Sequence, residues 1–147
     1  GLVTVADAPH RLEHSLEVQL PFLQVVLGEF ELLPIAVGCA TAGDVARVFD
    51  ASWDGPETLV LVSSDLSHDH DATLARRLDA ATAAAIVGRH DDLSGEQACG
   101  ATGINGLLQV ARRRGLSVEL LDLRNSGDTA GAAARVVGYG SFAIFPA

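Results

Sequence analysis

An apolar run at residues 58–62, Thr-Leu-Val-Leu-Val, stops abruptly at Ser63-Ser64-Asp65, and His68 follows three residues later. Such a short run, rich in β-branched and aliphatic residues and ended by polar ones, predicts a buried strand. In open α/β sheets ligands bind at the rim beyond the strand ends, because the following loops form a crevice there. A carboxylate and an imidazole just past a strand end therefore make Asp65 and His68 the first candidate site.

The rest of the chain alternates in kind. Leu12, Leu16, Leu20 and Leu23 recur at helical spacing, with Pro21 inside the pattern, so a helix with a kink or restart is expected, ending near Gly28. Residues 30–37 read as a strand closed by Gly38, and residues 41–51 as a short helix with Thr41 or Asp44 near its start. Asp71 is suited to cap a long Ala-rich helix reaching about Val87. A polar turn from Gly88 to Gly95 precedes a helix over residues 98–114 and a strand over 117–123. Asn125-Ser126-Gly127-Asp128 forms the next turn, and residues 134–145 a final strand interrupted by glycine. This alternation predicts an α/β domain, a layered mixed sheet with flanking helices. A chain of 147 residues that is 48% hydrophobic holds enough apolar material for the core of one domain.

Charge narrows the function classes. The net charge is −9, and all ten basic residues are arginine, so a phosphate-binding surface and nucleic-acid binding are not expected. The one basic cluster, Arg112-Arg113-Arg114, precedes Gly115 and suits the last turn of a helix, where cations complement the dipole. No apolar run approaches the roughly 20 residues that cross a bilayer, and no signal peptide is visible, so a cytoplasmic location away from membranes is expected. Two cysteines make no disulfide framework, and no CxxC pair points to structural zinc. The chain begins on an apparent strand without an initiator Met and reads as a fragment or a processed piece.

Three clusters can carry chemistry, each with a plainer alternative. His68 beside Asp65 suits general acid–base work, while Ser64 and Asp65 as caps of the next helix, with His68 solvated, explain the same residues. His70 belongs to a polar Asp-His-Asp stretch consistent with a surface loop. Cys99 stands at the expected start of a helix, where the dipole suits a nucleophile or soft metal ligand; a small buried residue is the alternative. Gly100, Gly103 and Gly106 permit close backbone approach, but their spacing is no dinucleotide fingerprint, so no nucleotide cofactor is expected. His14 and Glu17 share a helical face and can support a pocket, or can simply be the solvated side of an amphipathic helix. Cys39 and His90 have no partner in sequence and read as structural. A hydrolase built on Ser63 or Ser64 with His68 lacks the Gly-x-Ser-x-Gly elbow.

Taken in order, these segments resemble the Memo family, whose bacterial members are called AmmeMemoRadiSam system protein B. The resemblance runs from Glu13-His14-Ser15 through Phe22, then Leu33 to Gly38, Ser63-Ser64-Asp65 to His68, and Ala98-Cys99-Gly100 with Gly103-Ile104. It continues at Asn125 to Asp128 and at Val137 to Ser141. It implies a fold like that of class III extradiol dioxygenases and a metal-capable pocket holding non-haem iron or copper. In that reading Cys99 is a metal ligand, His68 with Asp65 the acid–base pair, and His14, Glu17 and Ser64 pocket support. The implied activity is a metal-dependent, dioxygenase-like oxidoreductase acting on a small molecule or peptide in the pocket; a non-catalytic binding or scaffold protein on the same fold is the alternative. Nothing here matches the family's Pro-His-Ala-Gly-Tyr motif, so the chain resembles the C-terminal part of a longer Memo-like domain. The missing N-terminal half, or another chain, is then expected to complete the fold. Ala101-Thr102-Gly103 also departs from the family, in which a histidine and a proline commonly follow the Cys-Gly pair.

Overall fold

A computed structural model describes residues 1–130 and 134–147. Among these residues five α-helices and three strands follow in the order α1 (Leu20–Leu27), α2 (Ala42–Ser52), β1 (His68–His70), α3 (Ala72–Val87), α4 (Ala101–Arg114), β2 (Leu116–Asn125), α5 (Gly127–Ala130) and β3 (Val136–Pro146). The strands form one sheet in the order β1-β3-β2. Both pairings are antiparallel, with Leu116 opposite Pro146 at one end of β2 and Asn125 opposite Gly138 at the other. Helix α3 packs on β2 and β3, and α4 lies between β2 and α2. The architecture is therefore α/β, with a small antiparallel sheet and flanking helices.

Local sequence accounts for most of the boundaries. Asp71 adopts an extended backbone and accepts the N–H groups of Thr73 and Leu74, so α3 starts where the cap predicts. Gly115 at φ 66° closes α4, with Arg112, Arg113 and Arg114 in its last turn. These arginines are engaged within the fold. Arg112 pairs with Asp91, Arg113 and Arg114 share Asp50, and the Arg114 guanidinium lies 4.8 Å over the Trp53 ring. Pro21 starts α1 rather than kinking a longer helix: it sits in the first turn, where its missing N–H has no helical partner to lose. The helical pattern expected from Leu12 onward is thus realised only from Leu20, preceded by a single 3-10 turn at Glu17–Gln19.

Thr41 and Asp44 cap α2 reciprocally. The Thr41 hydroxyl accepts the Asp44 N–H at 3.1 Å, and the Asp44 carboxylate accepts the Thr41 N–H at 3.1 Å and its O–H at 2.7 Å. The Thr41 hydroxyl, then its backbone N–H, lower Asp44 from its ordinary 3.8 to about 2. A carboxylate with a depressed folded pKa adds stability above its unfolded value, and that stability disappears as pH falls through the folded value. Protection of the first-turn amides of α2 against hydrogen exchange should therefore hold at pH 5 and fall between about pH 4 and pH 2. Asp44→Asn should lack that acid transition; an unchanged transition in the variant would show that the cap does not control it.

Two expectations are corrected. Residues 30–37 and 58–62 are not sheet strands among the described residues, and no parallel pairing exists there, so the sheet is antiparallel rather than mixed. A strand is defined by its neighbour, and no described backbone lies alongside either segment in ladder register. The second segment nevertheless keeps a strand's period of two: Thr58, Val60 and Val62 are half-buried while Leu59 and Leu61 are exposed. Conversely, Asp69-His70 belongs to β1 and not to a polar loop, with a bulge at Asp69, whose φ is 63°.

The core sits where α4, α3 and the sheet meet. Leu66, Ile86, Leu93, Ala98, Ala101, Leu108 and Val118 form one buried cluster. Gly106 lets α2 and α4 touch, since a Cβ there would stand 2.7 Å from the Val45 side chain. Leu66 and Ala98 tie this core to the candidate site, because each is fully buried and adjoins a candidate residue, Asp65 and Cys99 respectively.

Candidate functional site

The core holds two loops against each other. One spans residues 63–67, after the extended segment, and the other is the entry to α4 around Cys99 and Gly100. Three hydrogen bonds donated by backbone N–H groups bind them. The Cys99 N–H donates to the Asp65 carbonyl at 3.2 Å, the Gly100 N–H to Ser64 Oγ at 2.8 Å, and the Asp65 N–H to Cys99 Sγ at 3.3 Å. Their closeness depends on Gly100. A Cβ there would stand 2.8 Å from Ser64 Cβ and 3.2 Å from the Ser63 carbonyl oxygen.

The proton positions around Ser64 follow from donor arithmetic. Its single O–H donates to the Asp65 carbonyl at 2.7 Å, so its oxygen is left to accept the Gly100 N–H. Cys99 Sγ lies 3.6 Å from that oxygen. With the hydroxyl proton committed elsewhere, the thiol proton is the donor in this contact. If the sulfur gives up its proton to a metal or an electrophile, the Ser64 hydroxyl can turn and donate to it, joining the Asp65 N–H. The Asp65 carbonyl keeps the Cys99 N–H in that arrangement.

Asp65 also faces the imidazole. His68 Nε2 stands 3.4 Å from Asp65 Oδ2, and both side chains are more than two-fifths exposed. A pair this open to solvent stabilises the fold by less than about 1 kcal/mol, so its significance is positional. His68 opens β1 opposite Val137, which fixes its backbone to the sheet. Asp65 thus joins the two halves of the site, with its N–H on the sulfur and its carboxylate toward the imidazole.

The structure therefore gathers Ser64, Asp65, His68 and Cys99 at the α4 entrance. Cys99 is exposed, unlike the small buried residue of the plainer reading. His14 and Glu17 are exposed and lie on a single turn ahead of α1, in which the Val18 N–H donates to the His14 carbonyl at 3.1 Å and Glu17 opens the 3-10 turn. Their segment still adjoins the site through a residue that sequence patterns do not single out. Gln19 Nε2 donates to Ser63 Oγ at 3.0 Å. Gln19 lies in the same run as Glu13-His14-Ser15 and Glu17, and only the tertiary arrangement separates it from them. Neither Ser63 nor Ser64 bonds to His68 among the described residues, so no serine–histidine pair forms.

Two clefts lie away from these residues. A cleft of about 470 Å³ between α3 and β2 is lined by Ala80, Ala83, Ala84, Val87, Leu120 and Leu123. Another of about 250 Å³ includes Trp53, Arg114 and Phe145. Neither of these two clefts includes Cys99 or His68. Nor do three His, Cys, Asp or Glu side chains converge as metal ligands among them. The donors present here do not by themselves fit an iron or copper centre, which calls for several converging ligands. No helix among the described residues is long and apolar enough to cross a membrane.

Gly100→Ala should separate the two loops. Overpacking of this kind costs about 1–3 kcal/mol. Urea denaturation should show a loss in that range, and the Asp65 amide should exchange faster as its N–H leaves the sulfur. A variant as stable as the parent, with that amide unchanged, would show that the contact tolerates a methyl group.

Comparison with known proteins decides the family. A family profile described as "Memo-like protein" matches residues 3–143. The chain belongs to the Memo-like family. A MEMO1 family protein of Methanosarcina acetivorans is 35% identical over 158 residues, covering 98% of this Memo-like chain and 59% of the relative. Those of Archaeoglobus fulgidus and Thermotoga maritima are each 35% identical, covering 94% and 92% of this chain and 58% and 52% of their own lengths. The Memo-like chain spans little more than half the length of the curated relatives it matches.

Proposed function

We propose that this Memo-like chain supplies one wall of a binding site whose working group is the Cys99 thiol, with Asp65 and His68 as the proton-handling pair. The single observation that carries the reading is the surroundings of the sulfur: the Asp65 N–H donates to it at 3.3 Å, and the Ser64 hydroxyl oxygen, 3.6 Å away, can turn to donate once the thiol proton is lost. A sulfur so placed at an exposed helix entrance suits a soft metal ion or an electrophilic small molecule. Ser64 positions the thiol, and Gln19 through Ser63 extends the wall toward the His14–Glu17 segment.

The finer reading, a dioxygenase-like oxidoreductase on an extradiol dioxygenase-like fold, needs further ligands from another polypeptide segment. No step through iron or copper follows from the residues present. What this chain contributes to such chemistry is a soft ligand at Cys99 and a proton acceptor or donor at His68, held by Asp65. A non-catalytic binding or scaffold role is the second reading, supported by the exposed apolar side chains of the first sixty residues.

Alkylation with iodoacetamide tests the first reading, using the exposed Cys39 as an internal reference thiol. Ser64→Ala should slow modification of Cys99 by roughly two- to tenfold, the worth of one hydrogen bond, and leave Cys39 unchanged. Mass spectrometry of the two cysteine peptides reads both rates in one sample. Equal responses of the two thiols to Ser64→Ala would remove the argument for Cys99 as the working group.

A further inference from the structure

Two dipeptides in this chain are chemically prone to modify themselves, Asp54-Gly55 and Asn105-Gly106. In such a step the backbone nitrogen of the glycine attacks the side-chain carbonyl carbon of the residue before it. Glycine favours the attack because it has no Cβ to shield the nitrogen and a wide choice of φ and ψ. By residue type alone Asn105-Gly106 is the more reactive step, since a carboxamide is a better electrophile than a carboxylate. The structure reverses that order.

Asn105 is held from both sides. Its Oδ1 accepts the Leu93 N–H at 3.0 Å, and its Nδ2 donates to the Leu93 carbonyl at 2.9 Å. It is buried and, with Gly106, lies inside α4, where the Gly106 N–H belongs to the helical ladder. The carboxamide meets that nitrogen only if the helix opens. Asn125, the other asparagine, is also buried, and its Oδ1 accepts the Gly127 N–H at 3.0 Å.

Asp54-Gly55 has none of these restraints. Both residues are exposed, in the loop that leaves α2. Asp54 is engaged through its main chain only: its N–H donates to the Ser52 carbonyl at 3.0 Å, and its carbonyl accepts the Thr58 hydroxyl at 3.5 Å. Among the described residues its carboxylate has no cation beside it, whereas Asp50 in the last turn of α2 takes both Arg113 and Arg114. The Gly55 N–H likewise donates no hydrogen bond among the described residues. Gly55 has φ 88°, and a Cβ built on it would meet nothing within 4 Å, so the space for ring closure is open.

We propose that Asp54-Gly55 is a self-modification site, at which aspartate isomerises to isoaspartate through a cyclic imide. The Gly55 nitrogen bonds to Cγ of the neutral Asp54 carboxyl group, and the hydroxyl leaves with the amide proton as water. One water then opens the five-membered ring. Breaking the bond from nitrogen to Cγ restores aspartate. Breaking the bond from nitrogen to the Asp54 main-chain carbonyl carbon leaves isoaspartate, with the backbone running through Cγ. Water is released once and consumed once, and nothing is oxidised or reduced. The inference rests on the loop after α2 and is independent of the chemistry assigned to Cys99.

Incubating the 147-residue chain in water enriched in heavy oxygen tests this, because each passage through the imide introduces one labelled oxygen. Fragmentation mass spectrometry should find label at Asp54 ahead of the other aspartates, with Asn105 still a carboxamide. Gly55→Ala should slow the labelling at least about tenfold, which corresponds to roughly 1.4 kcal/mol on the barrier. Asp54→Glu, which would need a six-membered ring, should leave position 54 unlabelled. Unfolding in urea should restore the order set by residue type, with Asn105 reacting first. Label at Asp54 no greater than at Asp7, an exposed aspartate followed by alanine, overturns the inference. So does deamidation of Asn105 in the folded chain as fast as labelling of Asp54, or labelling of Gly55→Ala at the parental rate.

Discussion

Gly138→Ala is expected to destabilise the chain by about 3 kcal/mol, at the upper end of overpacking effects. A Cβ at this position would stand 2.0 Å from Asp79 Oδ2 and 2.5 Å from Asp79 Cγ. The carboxylate cannot swing aside cheaply. Asp79 is only 2% exposed, and its Oδ1 accepts the Ser67 N–H at 2.9 Å. The backbone of β3 is held as well, since the Gly138 N–H donates to the Ser67 carbonyl and its carbonyl accepts the Leu66 N–H, both at 2.8 Å. The clash therefore transmits to residues 66–67, between Asp65 and His68. Asp79→Ala alone should cost about 1–3 kcal/mol by leaving the buried Ser67 N–H unpaired. The double variant should be about as stable as Asp79→Ala, because the methyl group then occupies space the carboxylate has left. Urea denaturation of the four proteins measures this coupling. Strict additivity would mean that Gly138 is needed for some reason other than the buried carboxylate.

Leu108→Ala should cost about 2–5 kcal/mol, the range for truncating a buried leucine. Leu108 is 1% exposed, and its cluster includes Leu66 and Ala98, the residues adjoining Asp65 and Cys99. The effect should extend to the site. As the packing behind Leu66 and Ala98 loosens, the Asp65 N–H and the Cys99 sulfur lose their register. Faster exchange of the Asp65 amide should therefore accompany the fall in denaturation midpoint. A large loss of stability with that amide unmoved would show that the two loops are held by their own hydrogen bonds and not by the core. Leu108→Met, which nearly conserves volume, should cost less than about 1.5 kcal/mol and leave the amide unchanged.

Local chemistry predicted well where the signal was local. Asp71 as the cap of α3, Thr41 with Asp44 at the start of α2, and the arginines in the last turn of α4 are all contacts between residues a few positions apart. Gly100, Gly103 and Gly106 were expected to permit close approach, and the structure shows Ser64 against Gly100, Val62 against Gly103 and Val45 against Gly106. The misses have a common cause. Leu12 continues the leucine spacing yet is 91% exposed, because periodicity cannot report whether a surface exists to receive the side chain. Residues 30–37 and 58–62 have strand composition, but pairing is a property of two segments, and composition describes only one.

The site divides along the same line. Asp65 and His68 are three residues apart, so their approach was legible as a spacing. Ser64 and Cys99 are 35 residues apart, and nothing in the sequence orients the hydroxyl toward the sulfur. Gln19 reaching Ser63 across 44 residues was equally invisible.

By itself the sequence determined the helix caps, the acidic surface, the family and the residue types that can handle protons or bind a soft ligand. The tertiary structure alone decided that Cys99 is exposed, that Asp65 serves both the sulfur and the imidazole, and that the apolar side chains before Val62 are left uncovered. The reason is physical. Caps and charge depend on neighbours along the chain, whereas burial and donor geometry depend on which distant segments the core brings together.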